Sequence, residues 1–203
     1  DGQMQEASCN TAEWYPLNQY WIGEKPTAED FSGRFKLLWN EDHIYVLAEI
    51  TDDVIRDTHE DGLERYWDDD CLELFIDENN SGGDHQYNHN AFAYHIAQNL
   101  RVTDMGTDSL PAYFDSHVQS AKVQQGKLTT WEVGIKVYED DYRFGSSPRK
   151  LMLGEEIGFM VAYCDNDSSP EREHFIGSNF IEGDDKNRGW IDAGVFSDWT
   201  LVD

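Results

Sequence analysis

Apolar and polar residues alternate with a period of two in run after run of this chain. Gly, Asn, Asp or Pro closes each run, and no stretch carries helical periodicity over the length of a helix. Successive side chains of a strand point to opposite faces, so the pattern specifies half-buried strands. Phe35, Leu37 and Trp39 alternate with Lys36 and Leu38, and Asn40-Glu41-Asp42 turns the chain. Ile44, Val46, Ala48 and Ile50 then alternate with Tyr45, Leu47 and Glu49, which reads as a hairpin. Leu72, Leu74 and Ile76 point one way, and Cys71, Glu73 and Phe75 the other. Further strands are expected at 90–97, 117–123, 127–137, 157–164 and 196–202. Many short strands joined by turn chemistry argue for an all-β fold, a two-sheet antiparallel β-sandwich of jelly-roll kind, and against a parallel α/β sheet. With no internal repeat and no linker, residues 1–203 are expected to form a single domain.

The charge balance narrows the partners. Against 15 basic residues stand 41 acidic ones, a net charge of −26. Such a field repels phosphate backbones, so nucleic acid and anionic membrane surfaces are poor partners. No apolar run approaches the roughly 20 residues of a membrane helix, so membrane insertion is not expected. Neutral ligands and cations remain. Trp, Tyr and Phe make up 13% of the chain, more than a core of this size needs, so some should sit at the surface and take part in recognition. The start at Asp1-Gly2 reads as a mature or trimmed chain, and the expected location is secreted, periplasmic or at the cell surface. Cys9, Cys71 and Cys164 lack the spacing of a metal site, and one disulfide with a spare thiol or three buried free thiols both fit.

Trp67 leads from a loop into the strand Cys71-Leu72-Glu73-Leu74-Phe75-Ile76, with Glu73 on the face opposite the apolar stripe. Trp190 follows Asn187-Arg188-Gly189, again in a loop before a strand. Sugars present apolar C–H faces that stack on aromatic rings and hydroxyls that need carboxylates and amides. Two loop Trp residues beside a carboxylate supply both. The alternative is that each Trp packs beneath its own loop.

Acidic loops offer the hard oxygen donors that calcium takes. Asp77, Asn79 and Asp84 in the loop 77–84 are candidate ligands, together with Asp52, and Asp53, Asp165 and Asp167 are further ones. The loop lacks the spacing of an EF-hand, and an acidic loop that binds nothing is the alternative. A glycosidase needs two facing carboxyl groups. Asp70 and Glu73, three apart on one strand, point to opposite faces, so no catalytic residue is expected. Haem held between Met105, Met152 or Met160 and His95 or His174 is a minor alternative.

Three stretches together resemble a family 9 carbohydrate-binding module, of the kind appended to bacterial xylanases. Residues 35–48, running on to Asp52, are similar to that family's opening hairpin. Residues 67–80 resemble its Trp-x-x-Asp-x-x-Glu-x-x-x-Asp strand, and residues 190–201 its closing strand. With a weaker match at Ile157-Gly158-Phe159, the similarity spans nearly the whole chain. The resemblance implies a β-sandwich with structural calcium and a short slot in which Trp67 and Trp190 sandwich a sugar. Glu73 would accept from its hydroxyls and Asn187 would make an amide contact. It implies a polysaccharide or oligosaccharide partner and an attached or associated glycoside hydrolase in an exported polysaccharide-degrading or sugar-capturing system. Members that grip a chain end carry an Arg on the strand written here as Ala91-Phe92-Ala93-Tyr94-His95, and a Gln where this chain has Ala162. Ala93 and Ala162 thus remove two polar partners, and His95, on the same face as Ala93, partly substitutes. The competing reading is an interaction or structural domain of the same fold with a degenerate slot.

Overall fold

A computed structural model describes residues 11–202; Cys9 lies outside the described residues. The described residues form thirteen strands: β1 (Tyr15–Leu17), β2 (Gln19–Ile22), β3 (Phe31–Trp39), β4 (Ile44–Asp52), β5 (Cys71–Asp77), β6 (Phe92–Ala97), β7 (Val102–Met105), β8 (Pro111–Tyr113), β9 (Val118–Gln125), β10 (Leu128–Ile135), β11 (Glu156–Asp165), β12 (His174–Gly177) and β13 (Ser197–Thr200). They make two antiparallel sheets. The smaller runs β1-β3-β4-β10-β9, and the larger β2-β12-β11-β5-β6-β7-β8, with β13 also pairing β11. Two short 3-10 turns, Arg188–Trp190 and Ala193–Val195, precede β13. No described helix is long and apolar enough to cross a membrane.

The all-β antiparallel sandwich expected from the period-two runs is therefore the fold. The expected hairpin is β3–β4, closed where Asn40 Oδ1 accepts from the backbone amides of Asp42 and His43. The strands that alternation did not reveal are β1, β2, β7, β8 and β12, three or four residues each. At that length a period has no room to register. β1 also carries Pro16, tolerated because β1 lies at a sheet edge, where a missing N–H breaks no ladder.

Between the sheets lies the main core. Leu72, Leu74 and Ile76 of β5 meet Val46, Ala48 and Ile50 of β4 and the fully buried Trp131 of β10. The opposite face of the larger sheet is covered too. Cys71, Phe75, Ala93, Met160, Ala162 and Cys164 form a second apolar cluster with Trp21, Phe175, Ile181 and Phe196. All seven residues of β5 are buried as a result. An antiparallel sheet ordinarily leaves one face to water. Here the segment leading to β13 folds back over that face, and Gly189 permits the contact, since a Cβ there would stand 2.4 Å from Met160 Cε.

Candidate functional site

Pairing across the larger sheet sets one row of residues side by side: Gly177, Ala162, Glu73, His95, Thr103 and Tyr113. Glu73 and His95 are the large polar members at its centre, on the outer face. Ala162 on one side and Ala93 nearby are small, so the covering loops enclose a depression above the sheet. That cleft measures about 330 Å³, within the range of small-molecule sites, and is lined by Tyr66, Trp67, Glu73, Tyr87, His95, Met105, Arg172, Phe175, Asn187 and Trp190.

The two Trp residues reach it from different loops. Tyr66 is buried with its ring edge-on to His95 at 4.7 Å and to Trp67 at 5.0 Å. Asp68, also buried, accepts from Arg65 and from the backbone amide of Arg172. Trp67 is held between these anchors yet keeps 38% of its surface exposed. Trp190 follows Gly189, whose carbonyl lies 2.7 Å from His85 Nε2, and is 42% exposed. Neither ring is wholly packed beneath its own loop.

Arg172 ties the cleft together. Its Nη1 donates to Cys164 Sγ at 3.1 Å and its Nη2 to Asn187 Oδ1 at 2.9 Å, while the guanidinium stacks on Phe175 at 4.0 Å and stands 4.0 Å from Glu73. His95 Nε2 is 3.2 Å from Glu73 Oε2. Burial alone would lower the His95 pKa, and the Glu73 charge outweighs it and raises it. Trp67, Glu73, His95, Asn187 and Trp190, all singled out from the sequence, come together here. Arg172, Tyr66, Tyr87 and Phe175 were missed, and Met105 was weighed only as a haem ligand. Arg172 carried one signal: it is the only basic residue of the acidic loop 165–173.

Other residues weighed from sequence fall elsewhere. Asp70 is buried behind the cleft and accepts from the amides of Arg56 and Asn166, its pKa pushed up to about 9 by burial. Met105 shares the cleft with His95, but Met152 is exposed, Met160 lies in the second apolar cluster and His174 bonds Asp165. Cys71 and Cys164 are both free and buried.

The acidic residues separate into two groups. Asp77 spends one carboxylate oxygen on the amide of Asn79 and the other on that of Gly82, Asn79 Oδ1 accepts from Ser81, and Asp84 Oδ1 accepts from Gln86. In that loop the side chains shape backbone. Asp52 instead belongs to a cluster with Asp165 and Asp167 whose donor atoms lie within 4.8 Å of one another, and Asp30, Asp53 and Asp167 form an adjoining one. Asp165 Oδ1 and Asp167 Oδ1 are buried without a hydrogen-bond partner. Burial, with the neighbouring charges adding, pushes Asp52 to about 6 and Asp165 to about 7. All donors are hard oxygens, so this cluster, more than the 77–84 loop, fits a calcium ion.

The profile of the carbohydrate family 9 binding domain-like family matches residues 1–203. The chain is 24% identical over 202 residues to endo-1,4-beta-xylanase A of Thermotoga maritima and 25% identical to that of Thermotoga neapolitana. Those alignments take in 100% of the chain but only 17% of each enzyme's length. Among solved structures, a family 9 carbohydrate-binding module from Caldicellulosiruptor kristjanssonii in complex with cellotriose superposes with a TM-score of 0.71 at 19% identity, over 100% of this chain and 88% of that one. A glucose complex of a module from the same organism gives 0.71 at 20% identity, over 99% and 89%. A Bacteroides uniformis protein described as a carbohydrate-binding one gives 0.56 at 16% identity, over 86% and 80%.

Proposed function

Because the chain belongs to the carbohydrate family 9 binding domain-like family, we propose that it binds a polysaccharide or oligosaccharide without cleaving it, one sugar ring lying between Trp67 and Trp190. The observation that carries this reading is the single cleft that gathers two half-exposed Trp rings over a polar floor of Glu73, His95, Arg172 and Asn187. Stacking on the rings supplies affinity, and the floor pairs the hydroxyls. The positions of Ala93 and Ala162 are apolar, yet a guanidinium still reaches the floor, supplied by Arg172 from a neighbouring loop. Non-catalytic binding fits the pair of carboxyl groups that a glycosidase would need: Glu73 faces the cleft, whereas Asp70 is buried behind it on backbone amides.

Calcium in the Asp52–Asp165–Asp167 cluster completes the proposal. Asp52 ends a strand of the smaller sheet and Asp165 ends β11 of the larger, so one ion there would join the two sheets. The relatives being xylanases, the proposed setting is an exported system with a glycoside hydrolase attached or nearby. A glycan array of plant polysaccharides and their oligosaccharides, run in calcium-containing buffer, tests the reading. Retention of one or a few β-linked glucans or xylans is the expected outcome, and an array blank at every concentration would count against it.

A further inference from the structure

Beside the carboxylate and imidazole that sugar hydroxyls would use, the floor of the cleft holds a sulfur donor that a sugar does not require. A carboxylate oxygen of Glu73, a ring nitrogen of His95 and the sulfur of Cys164 lie within 4.8 Å of one another, all three residues buried. His95 Nε2 stands 3.2 Å from Glu73 Oε2, and Cys164 Sγ 3.8 Å from the same oxygen. On its other edge, His95 Nδ1 lies 3.1 Å from the carbonyl of Ala93. A carbonyl only accepts, so Nδ1 carries a proton and Nε2 is the nitrogen presented to the cluster. Metal-bound histidines are oriented by the same kind of bond. A carboxylate and a ring lone pair that face one another call for a cation between them. A proton can serve between those two atoms, and a metal ion would draw in the sulfur as well, in place of its contact with Arg172 Nη1.

That sulfur is prepared for the role. Cys164 pairs directly with Cys71 across β5 and β11, and Arg172 Nη1 donates to its sulfur at 3.1 Å, so a fixed positive charge faces the sulfur. The thiolate is the form that binds metal. One carboxylate and one thiolate neutralise a divalent ion, which lowers the cost of burying it. Arg172 would give up its bond to Cys164 and keep Asn187 and the Phe175 ring. Glu73 and His95 also line the cleft, which gives an ion its route in and leaves a coordination position facing out.

We propose that Glu73, His95 and Cys164 bind one zinc-class divalent cation in the cleft floor, with the fourth position of a tetrahedral site open to the cleft. A mixed sulfur, nitrogen and oxygen set suits zinc, whereas calcium takes oxygen alone, so this site is chemically distinct from the Asp52–Asp165–Asp167 cluster. The inference concerns the metal by itself and stands whether or not the cleft takes a sugar.

Cobalt(II), added to the metal-free, reduced chain with no sugar present, reads the site directly. One equivalent should produce a thiolate-to-cobalt charge-transfer band and the strong visible absorption of tetrahedral cobalt, both abolished by zinc and untouched by excess calcium. Cys164→Ser should remove the charge-transfer band and weaken zinc binding by more than about 100-fold, beyond the loss of an outer-sphere partner. His95→Gln should weaken zinc binding similarly. No charge-transfer band in the wild-type chain would overturn the proposal, and that measurement needs no variant to fold. A band that persists in Cys164→Ser, or one that calcium displaces, would overturn it equally.

Discussion

Arg172 shows how much a single side chain organises here. It is the cation beside buried Glu73 and Cys164, and its two amino groups are committed to strand β11 at Cys164 and to the loop at Asn187. Arg172→Leu keeps the packing on Phe175 but leaves the anionic groups without their counter-charge. Breaking a buried charged network in this way costs about 3 kcal/mol, to be read as a lowered urea midpoint at unchanged slope. Trp67, Glu73 and Trp190 were legible as candidates for the cleft because sugar chemistry asks for those residue types, and the family resemblance pointed to them. Arg172 and Tyr87 were not, because they enter from loops far apart in sequence. Only the pairing of β11 with β5 and of β5 with β6 brings their neighbours into one row.

The longer strands announced themselves through alternation, and the edges of the larger sheet did not, since β2, β7, β8 and β12 are too short to show a period. What fixes the β12 edge is close packing. A Cβ on Gly177 would stand 2.0 Å from the ring of Trp21, whose Nε1 donates to the Asn179 carbonyl at 2.9 Å. Gly177→Ala must therefore push a rigid, hydrogen-bonded ring aside, and the expected loss of stability is about 1–3 kcal/mol in a thermal or urea melt. At the start of β9, burial, with the Lys136 and His89 charges adding, lowers the His117 pKa to about 3. Its ring lies 2.8 Å from the Tyr94 hydroxyl and among Tyr138 and Tyr142. A folded-state pKa below the unfolded one means that the unfolded chain takes up a proton the folded chain refuses. The contribution of neutral His117 is thus complete above about pH 6.5 and is lost as pH falls toward 3, by up to about 3 kcal/mol near pH 4. Unfolding free energies of wild type and His117→Phe, compared near pH 7 and pH 4, should show a shallower acid loss in the variant. Parallel losses would assign the acid sensitivity to other groups.

At the scale of the whole molecule, a net charge of −26 must be reconciled with a compact fold. Much of it faces solvent, but Asp52 and Asp165 bring carboxylates from both sheets into one buried cluster. A cation there stabilises the folded chain alone, by about 2.7 kcal/mol at a hundredfold excess over its dissociation constant. Melting curves with calcium and with chelator should separate accordingly, and Asp165→Asn should close the gap; superimposed wild-type curves would refute the calcium site. The composition made cations a reasonable expectation, yet it pointed first to the 77–84 loop. That loop has more acidic and amide side chains in sequence, but Asp77 is spent on backbone amides. The central claim, that the chain holds a sugar between two Trp rings, is tested most directly by isothermal titration of cellotriose into wild type, Trp67→Ala and Trp190→Ala in calcium-containing buffer. The expected result is saturable one-to-one binding by wild type and a loss of about 1–3 kcal/mol in each variant, the scale of a lost aromatic contact. Equal affinity in all three proteins would contradict it.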